Sequence, residues 1–350
     1  MGKGLPYISI LFATVILLSY SIGSCRKKDA GFNYNPTFVN FQVPDGFPPP
    51  KINFNNNPLT EEGIALGRKL FYDGILSKDG NIPCSSCHQQ FAAFATFDHN
   101  FSHGFNNSFT TRNAPGLWNL AWHTEFHHDG GINNLEVQPL APITAPNEMA
   151  ENITDVVNKL KNDARYRQMF RDAFGDDEIN SQRMLKAIAQ FTGTIISANA
   201  KYDKVKKGLE KFNAAEQRGE AIFLSKCATC HTPPLFTDFS YRNTGLVPNS
   251  QLNDKGRMNI TQNPNDAYKF KVPSLRNVAV TFPYMHDGRF YSMEQSIEHY
   301  RSIPFTPTLD PLLVNGISLN NAEVFDLVEF LKTLTDSTFL KDERFAQPPL

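Results

Sequence analysis

Two short motifs of the form Cys-x-x-Cys-His constrain what this chain can fold into more than any other feature of its sequence. They occupy residues 84–88 and 227–231. Thiols at this spacing can add to the two vinyl groups on one edge of a haem, and the histidine that follows can bind the iron from one face. The sequence therefore predicts two covalently attached c-type haems. The attachment residues are Cys84, Cys87 and His88 in the first motif and Cys227, Cys230 and His231 in the second.

Two other chemistries use paired cysteines, namely a thioredoxin-like redox motif and a structural zinc site. Neither explains why a histidine directly follows both pairs. The chain has five cysteines, of which four lie in the motifs and the fifth is Cys25, so none is left for a structural disulfide. Haem attachment is therefore the interpretation that accounts for every residue of both motifs.

The N-terminal residues 1–25 have the pattern of an export leader. Lys3 is followed by an apolar run over residues 8–18, about the length of a signal-peptide core and short for a membrane span. Small residues then precede Cys25, which resembles a bacterial lipobox whose thiol carries a lipid. The alternative is an ordinary signal peptide with an incidental cysteine. We expect a lipoprotein of the bacterial cell envelope that faces the periplasm, in which residues 26–58 form a tether to the membrane.

The rest of the chain contains an internal duplication. A Gly-x-x-x-Phe segment begins at Gly67 ahead of the first haem motif, and another begins at Gly219 ahead of the second. After the motifs, His-Asp-Gly recurs at residues 128–130 and 286–288. Two copies of one haem-binding unit explain these matches.

Helical periodicity over residues 153–170 and 184–196, with few alternating stretches, predicts a mainly α protein. We expect two domains over residues 59–205 and 206–350, with the boundary in the lysine-rich stretch 201–213. The hydrophobic content of 41% is that of a globular protein. The net charge of -1 and the scattered basic residues give no sign of a nucleic-acid partner.

The chain resembles the bacterial di-haem cytochrome c peroxidase family, which also includes the methylamine-utilisation di-haem enzyme. Besides the haem motifs, the resemblance rests on five segments, at residues 111–115, 135–138, 146–149, 270–277 and 283–289. It implies two cytochrome c-like domains with one covalent haem each. It further implies that hydrogen peroxide reacts at the N-terminal haem, that a small c-type cytochrome or cupredoxin supplies electrons to the C-terminal haem, and that the protein forms a homodimer.

The resemblance also assigns roles around the first haem. Glu148, in Pro-Asn-Glu-Met, matches the family's catalytic acid–base carboxylate, and Gln138 matches its distal glutamine. His103, followed by Gly104, resembles a displaceable ligand on the distal side of the iron. His99, His123, His127 and His128 lie nearby in the sequence and compete for that role.

Two positions depart from the peroxidase pattern. His128 stands where the family usually has a tryptophan that carries electrons between the haems. Tyr300 stands where a methionine usually binds the second iron, as in the methylamine-utilisation enzyme. A phenolate there would lower the potential of this haem relative to a thioether. Met258, Met285 and Met293 are alternative ligands.

The resemblance also implies a calcium ion between the domains. Its ligands would be a carbonyl oxygen of Asn113 and the backbone carbonyl oxygens of Thr281 and Pro283, completed by water. Three functions stay open at this point: a peroxidase, an oxidase that acts on a partner protein, and an electron carrier without catalysis. Glu148 and Gln138 argue against the carrier, which needs no acid–base pair.

Overall fold

The computed structural model describes residues 32–349 of the chain. The expected leader, Cys25 with its lipid, and the first residues of the tether lie outside the described residues. Across residues 32–349 no helix is both long enough and apolar enough to cross a membrane.

The described chain is mainly helical, as the sequence predicts. The ten α-helices between residues 32 and 349 are α1 (Glu61–Tyr72), α2 (Leu140–Thr144), α3 (Ile153–Asn162), α4 (Ala164–Phe174), α5 (Ser181–Gly193), α6 (Lys201–Lys206), α7 (Ala214–Lys226), α8 (Met258–Thr261), α9 (Met293–Arg301) and α10 (Asn321–Lys332). Two short strands, β1 (Tyr241–Arg242) and β2 (Phe270–Lys271), pair in antiparallel register, with Tyr241 opposite Lys271.

The helices that lead to the two haem motifs begin with side-chain caps. The Thr60 hydroxyl accepts a hydrogen bond from the backbone N–H of Gly63 at the start of α1. At the start of α7, Asn213 and Glu216 form a reciprocal capping box. Such caps satisfy backbone N–H groups that have no partner inside the helix, which is why the helices begin at these residues.

Each of these helices packs closely against a second helix through the glycine of the duplicated segment. A Cβ on Gly67 would overlap the carbonyl oxygen of Ala187 in α5, and a Cβ on Gly219 would overlap that of Asp326 in α10. The α1–α5 and α7–α10 pairs thus have the same backbone-to-backbone contact. The duplication seen in the sequence is present as a repeated helix pair.

Two hydrophobic clusters follow the order of the chain. The first is built from buried residues between Leu66 and Ile188, and the second from buried residues between Tyr202 and Leu334. Tyr202 of α6 contacts the ring of Phe236 at 4.8 Å and belongs to the second cluster, so the lysine-rich stretch is helical where it begins. The division into domains at residues 205 and 206 stays a prediction.

Residues 36–58, which the sequence analysis assigned to the tether, contact the rest of the protein. The rings of Phe41 and Phe47 lie 5.8 and 5.2 Å from the ring of Trp122. The Trp122 indole N–H donates to the carbonyl of Pro48 at 2.7 Å. This part of the expected tether is an irregular strap fixed by aromatic packing.

Candidate haem centres

The first Cys-x-x-Cys-His motif forms a tight turn that presents its histidine to a cofactor. Cys84–Ser86 is a short 3-10 helix, and the N–H groups of Cys87 and His88 both donate to the carbonyl of Cys84. The His88 Nδ1 lies 2.8 Å from the carbonyl oxygen of Phe94 and donates to it, which leaves Nε2 for iron. Burial lowers the pKa of His88 to about 4, so the ring is neutral, as an iron ligand must be.

The second motif follows α7 and repeats this arrangement. The His231 Nδ1 lies 3.1 Å from the carbonyl oxygen of Pro273 and 3.3 Å from that of Phe236. Burial lowers the pKa of His231 as well. The two histidines are therefore held in the same tautomer by equivalent carbonyls of the two copies.

The thiols fit thioether attachment better than a zinc site. All four are free, and burial raises the pKa of Cys84 and of Cys227 to about 12, which keeps them neutral. Neither motif belongs to a group of three or more His, Cys, Asp or Glu side chains placed to hold a metal ion within residues 32–349. Two thiols and one imidazole Nε2 per motif are the donor set that a c-type haem requires.

Glu148 lies beside the first motif, in the turn that follows α2. Its charge acts on the Cys87 thiol, which places the carboxyl close to the attachment site. Burial alone raises the pKa of Glu148. Within residues 32–349 its carboxyl group makes no hydrogen bond, although its backbone carbonyl accepts one from Phe105 at 2.7 Å. A half-buried carboxyl with a raised pKa and no hydrogen-bond partner is suited to exchanging a proton.

The His103 loop packs directly against this turn. A Cβ on Gly104 would overlap the carbonyl oxygen of Asn147, so only glycine allows the two segments to meet. The Asn147 amide donates to the carbonyl of Phe109 at 3.0 Å and fixes the far end of the loop. The His103 ring is exposed and lies 4.7 Å from the ring of Phe109. The structure thus brings His103 and Glu148 to one place, and the role of His103 as an iron ligand stays a prediction.

Gln138 has a partner that the sequence analysis did not assign. Its Nε2 lies 3.2 Å from Nε2 of His127. His127 is within electrostatic reach of His88, and its own backbone is left-handed, with φ of 66°. In the sequence, His127 is one of several histidines that compete with His103 for the first iron, and nothing there links it to Gln138.

Tyr300 in α9 lies beside the second motif. Burial and then the charges of Cys227 and Cys230 raise the pKa of its phenol, so the side chain is close to both thiols. Met293, one of the alternative ligands, packs in the second hydrophobic cluster with Ile297 and Cys227. Tyr300 therefore lies near the second motif, where a ligand of the second iron is needed. Its role as that ligand stays a prediction.

His128 and His286, which occupy equivalent positions in the two copies, both contact Asn113. The backbone N–H of Asn113 donates to the carbonyl of His286 at 2.8 Å, and its carbonyl oxygen lies 2.9 Å from Nε2 of His128. The His286 ring stacks on Phe270 with a centroid distance of 3.7 Å and an interplanar angle of 11°. His128 is thus part of a group of rings contributed by both halves of the chain.

A buried ion network lies next to these rings. Arg112 binds both carboxylate oxygens of Asp254, at 2.6 and 2.8 Å, and one oxygen of Asp129 at 2.6 Å. Burial opposes the charge of Asp254, but the hydrogen bonds and charge of Arg112 outweigh it and lower the pKa of that carboxyl. The network joins residues that are far apart in the sequence, and no local pattern predicts it.

The three expected calcium ligands are Asn113, Thr281 and Pro283, and the structure describes the contacts of Asn113 in most detail. The Asn113 side-chain amide donates to the carbonyls of His99 and Asn100, both at 3.2 Å. Its Oδ1 makes no hydrogen bond within residues 32–349, so it remains available to a cation. Thr281 and Pro283 lie in the segment that leads to His286, which Asn113 contacts. Calcium binding stays a prediction.

The sequence is similar to known proteins over most of its length. Residues 61–211 match the family described as di-haem cytochrome c peroxidase. The methylamine utilization protein MauG of Methylorubrum extorquens is 38% identical over 299 residues, which cover 84% of this chain and 83% of that protein. The cytochrome c551 peroxidase of Nitrosomonas europaea is 34% identical over 79% of this chain and 81% of its own length. A crystal structure of a MauG-like protein associated with microbial copper homeostasis matches with a TM-score of 0.81 and 34% identity, covering 89% of this chain and 99% of the other.

Proposed function

Because the chain belongs to the di-haem cytochrome c peroxidase family, and is therefore an oxidoreductase with two c-type haems, we propose that it reduces hydrogen peroxide to water. Each peroxide molecule takes up two electrons and two protons and gives two molecules of water. The electrons would come from a small c-type cytochrome or cupredoxin. The relatives include both a cytochrome c551 peroxidase and MauG proteins. Membership of the family therefore does not fix the substrate, and hydrogen peroxide is our proposal.

The observation that carries the proposal is the half-buried carboxyl of Glu148, which makes no hydrogen bond within residues 32–349 and lies within electrostatic reach of the Cys87 thiol. When bound, the first haem supplies the iron that binds peroxide and passes electrons to it. Glu148 can accept a proton from the peroxide oxygen nearer the iron and return it to the oxygen that leaves as water. The raised pKa of its carboxyl brings proton uptake and release closer to neutral pH.

The test is steady-state peroxide reduction by the fully haem-loaded protein and its Glu148→Gln variant. Glutamine keeps the shape of the side chain but cannot exchange a proton, so we expect turnover to fall by about 10²- to 10⁴-fold. Glu61→Gln is the matched control, because Glu61 is exposed in the first turn of α1. Turnover of Glu148→Gln at the wild-type rate would contradict the assignment. An electron carrier would show no peroxide turnover in either protein.

A second candidate function is the oxidation of a partner protein, and the placement of Tyr300 beside the second motif favours it. Tyrosine at this position resembles the methylamine-utilisation enzyme, and MauG proteins are among the relatives. Replacing Tyr300 by Phe removes the phenol but keeps the ring. If the phenol binds the second iron, the absorption spectrum of that haem changes in Tyr300→Phe. Peroxide-dependent oxidation of a protein, without turnover of any small donor, would support the second function.

The location of the protein at the membrane is also a proposal. Lipidation of Cys25 would hold the haem domains at the envelope. Replacing Cys25 by Ala, in a chain that keeps an export signal, should release the haem protein into the soluble periplasmic fraction. Calcium at Asn113, Thr281 and Pro283 and a homodimer complete the proposed assembly.

A further inference from the structure

We propose that His127 donates a hydrogen bond to the ligand that binds the first haem iron, and that Gln138 holds its ring in the tautomer that makes this possible. The inference deepens the proposed function, since it names a further residue of the peroxide site. It is independent of the acid–base role of Glu148. It rests on the contact between the two side chains, on the free ring nitrogen and on the position of His127 within electrostatic reach of His88.

The contact with Gln138 fixes the proton on the His127 ring. The two nitrogens that meet, Nε2 of each side chain, are 3.2 Å apart. Because the amide nitrogen of Gln138 is only a donor, Nε2 of His127 must accept. A neutral imidazole that accepts at Nε2 carries its proton on Nδ1. Nδ1 of His127 makes no hydrogen bond with any part of residues 32–349, so a free N–H is left over.

The His127 ring is neutral, so only one of its two nitrogens carries a proton and can donate a hydrogen bond. Burial lowers the pKa of His127. The charged groups that face it are Asp129 in the same turn, Arg112 before it, and Lys271 from β2. Asp129 favours protonation, whereas Arg112 and Lys271 oppose it, and the balance keeps the imidazole uncharged at neutral pH.

The position of His127 also links it to the first haem motif. It is within electrostatic reach of His88, the proposed ligand of the first iron, as Glu148 is of Cys87. In the duplicated turn of the second copy, the equivalent residue is Met285, which has the same left-handed backbone, with φ of 74°. The turn is thus common to both copies, and the N–H donor is specific to the copy that contains Glu148.

A donor at this position would stabilise negative charge on an oxygen or nitrogen of the bound ligand. Such a group, already oriented in a partly buried site, stabilises developing charge without having to reorganise. The proton remains on His127 throughout. His127 would therefore polarise the ligand, while Glu148 exchanges the proton.

The test uses cyanide, a small anionic ligand, with the protein that carries both haems. Its affinity for the first haem is measured in the oxidised and the half-reduced states, together with the C–N stretching frequency in H₂O and D₂O. His127→Phe keeps an aromatic ring and removes the donor. We expect its cyanide affinity to fall by about 10- to 100-fold, the range for a hydrogen bond to a charged group. We also expect the solvent-isotope shift of the C–N frequency to disappear.

Three further variants separate the donor from a general effect on folding. His127→Gln retains a side-chain N–H and should recover part of the affinity. Gln138→Leu leaves the tautomer unfixed and should weaken the isotope shift. His299→Phe changes a half-buried histidine of the second copy, whose Nε2 lies 2.8 Å from the carbonyl oxygen of Thr244, and should leave both measurements unchanged.

Haem content and far-UV circular dichroism confirm that each variant is folded. Wild-type affinity and isotope shift in His127→Phe would overturn the inference, whatever the peroxide activity. So would a first haem that binds no cyanide in either state of the wild type. If cyanide binding behaves as expected but wild-type protein reduces no peroxide, the proposed function fails and the role of His127 stands.

Discussion

The surroundings of Glu148 disfavour the ionised form of its carboxyl group, because burial raises its pKa. A carboxyl group whose folded-state pKa is raised binds its proton more tightly when folded than when unfolded. Its contribution to stability is fully present below the pKa of the unfolded state, near 4.5, and is lost as pH rises through the folded pKa. The proton-exchange group of the proposed site thus lowers the stability of the protein at neutral pH.

We therefore expect Glu148→Gln to stabilise the protein in a pH-dependent manner. Glutamine cannot ionise, so the free energy of unfolding of the variant should exceed that of the wild type at pH 8. The difference should be much smaller at pH 4, where the carboxyl is mostly protonated in both states. Thermal unfolding of the haem-loaded proteins at the two pH values measures it, with Glu61→Gln as the control. An equal effect at both pH values would show that altered packing, and not ionisation, is responsible.

Single residues could be assigned a role from the sequence where a motif surrounds them. The attachment cysteines, His88, His231 and Glu148 lie in such motifs, and their roles stay predictions that agree with the hydrogen bonds of the two histidines and the raised pKa of Glu148. His127 could not be predicted in this way, because its partner Gln138 is eleven residues away and the contact depends on the turn between them. Tertiary neighbours, and not local spacing, decide what such a histidine does.

The ends of the helices are also poorly predicted from the sequence. The helical pattern over residues 153–170 is divided in the structure, because Asp163 ends α3 and its side chain caps α4 by accepting from the N–H of Arg165. Periodicity detects the apolar face of both helices but not the break between them. The strap at residues 36–58 has no period at all, and its order comes from aromatic contacts with Trp122. Such order cannot be predicted from local patterns.

The glycines of the duplicated segment support a prediction about helix packing. Because Gly67 and Gly219 lie against the backbone of a facing helix, a methyl group at either position forces the pair apart. We expect Gly67→Ala and Gly219→Ala each to lower the free energy of unfolding by about 1–3 kcal/mol, although alanine favours helix. Urea unfolding followed by circular dichroism measures this. Ala65→Ser, on the exposed face of α1, is the control, and a stabilising effect of either glycine replacement would contradict the packing argument.

At the scale of the whole molecule, residues from distant parts of the chain meet in one group around Arg112 and Asn113. Arg112 binds Asp129 and Asp254, and Asn113 connects His128 with His286. Removing one partner from a buried ion network leaves an uncompensated charge, so the network holds its members in a defined arrangement. The rings beside it are consequently kept in fixed positions, which electron transfer between two sites requires.

His128 is the residue of this group through which we expect electrons to pass. Burial lowers its pKa to about 3, so the ring is neutral and its role cannot be that of a charge. Its replacement by Leu should slow peroxide turnover with a protein donor by about tenfold, a rise of about 1.4 kcal/mol in the barrier. Cyanide binding at the first haem should be unaffected, because that site does not need electrons from the second. Stopped-flow spectroscopy of the two haems follows both processes.

Two variants distinguish the ring of His128 from its hydrogen bond. His128→Gln can still donate to the carbonyl of Asn113, which His128 contacts at 2.9 Å, but has no ring. If the ring carries the electrons, His128→Gln is as slow as His128→Leu. If the hydrogen bond only positions Asn113, His128→Gln recovers the wild-type rate.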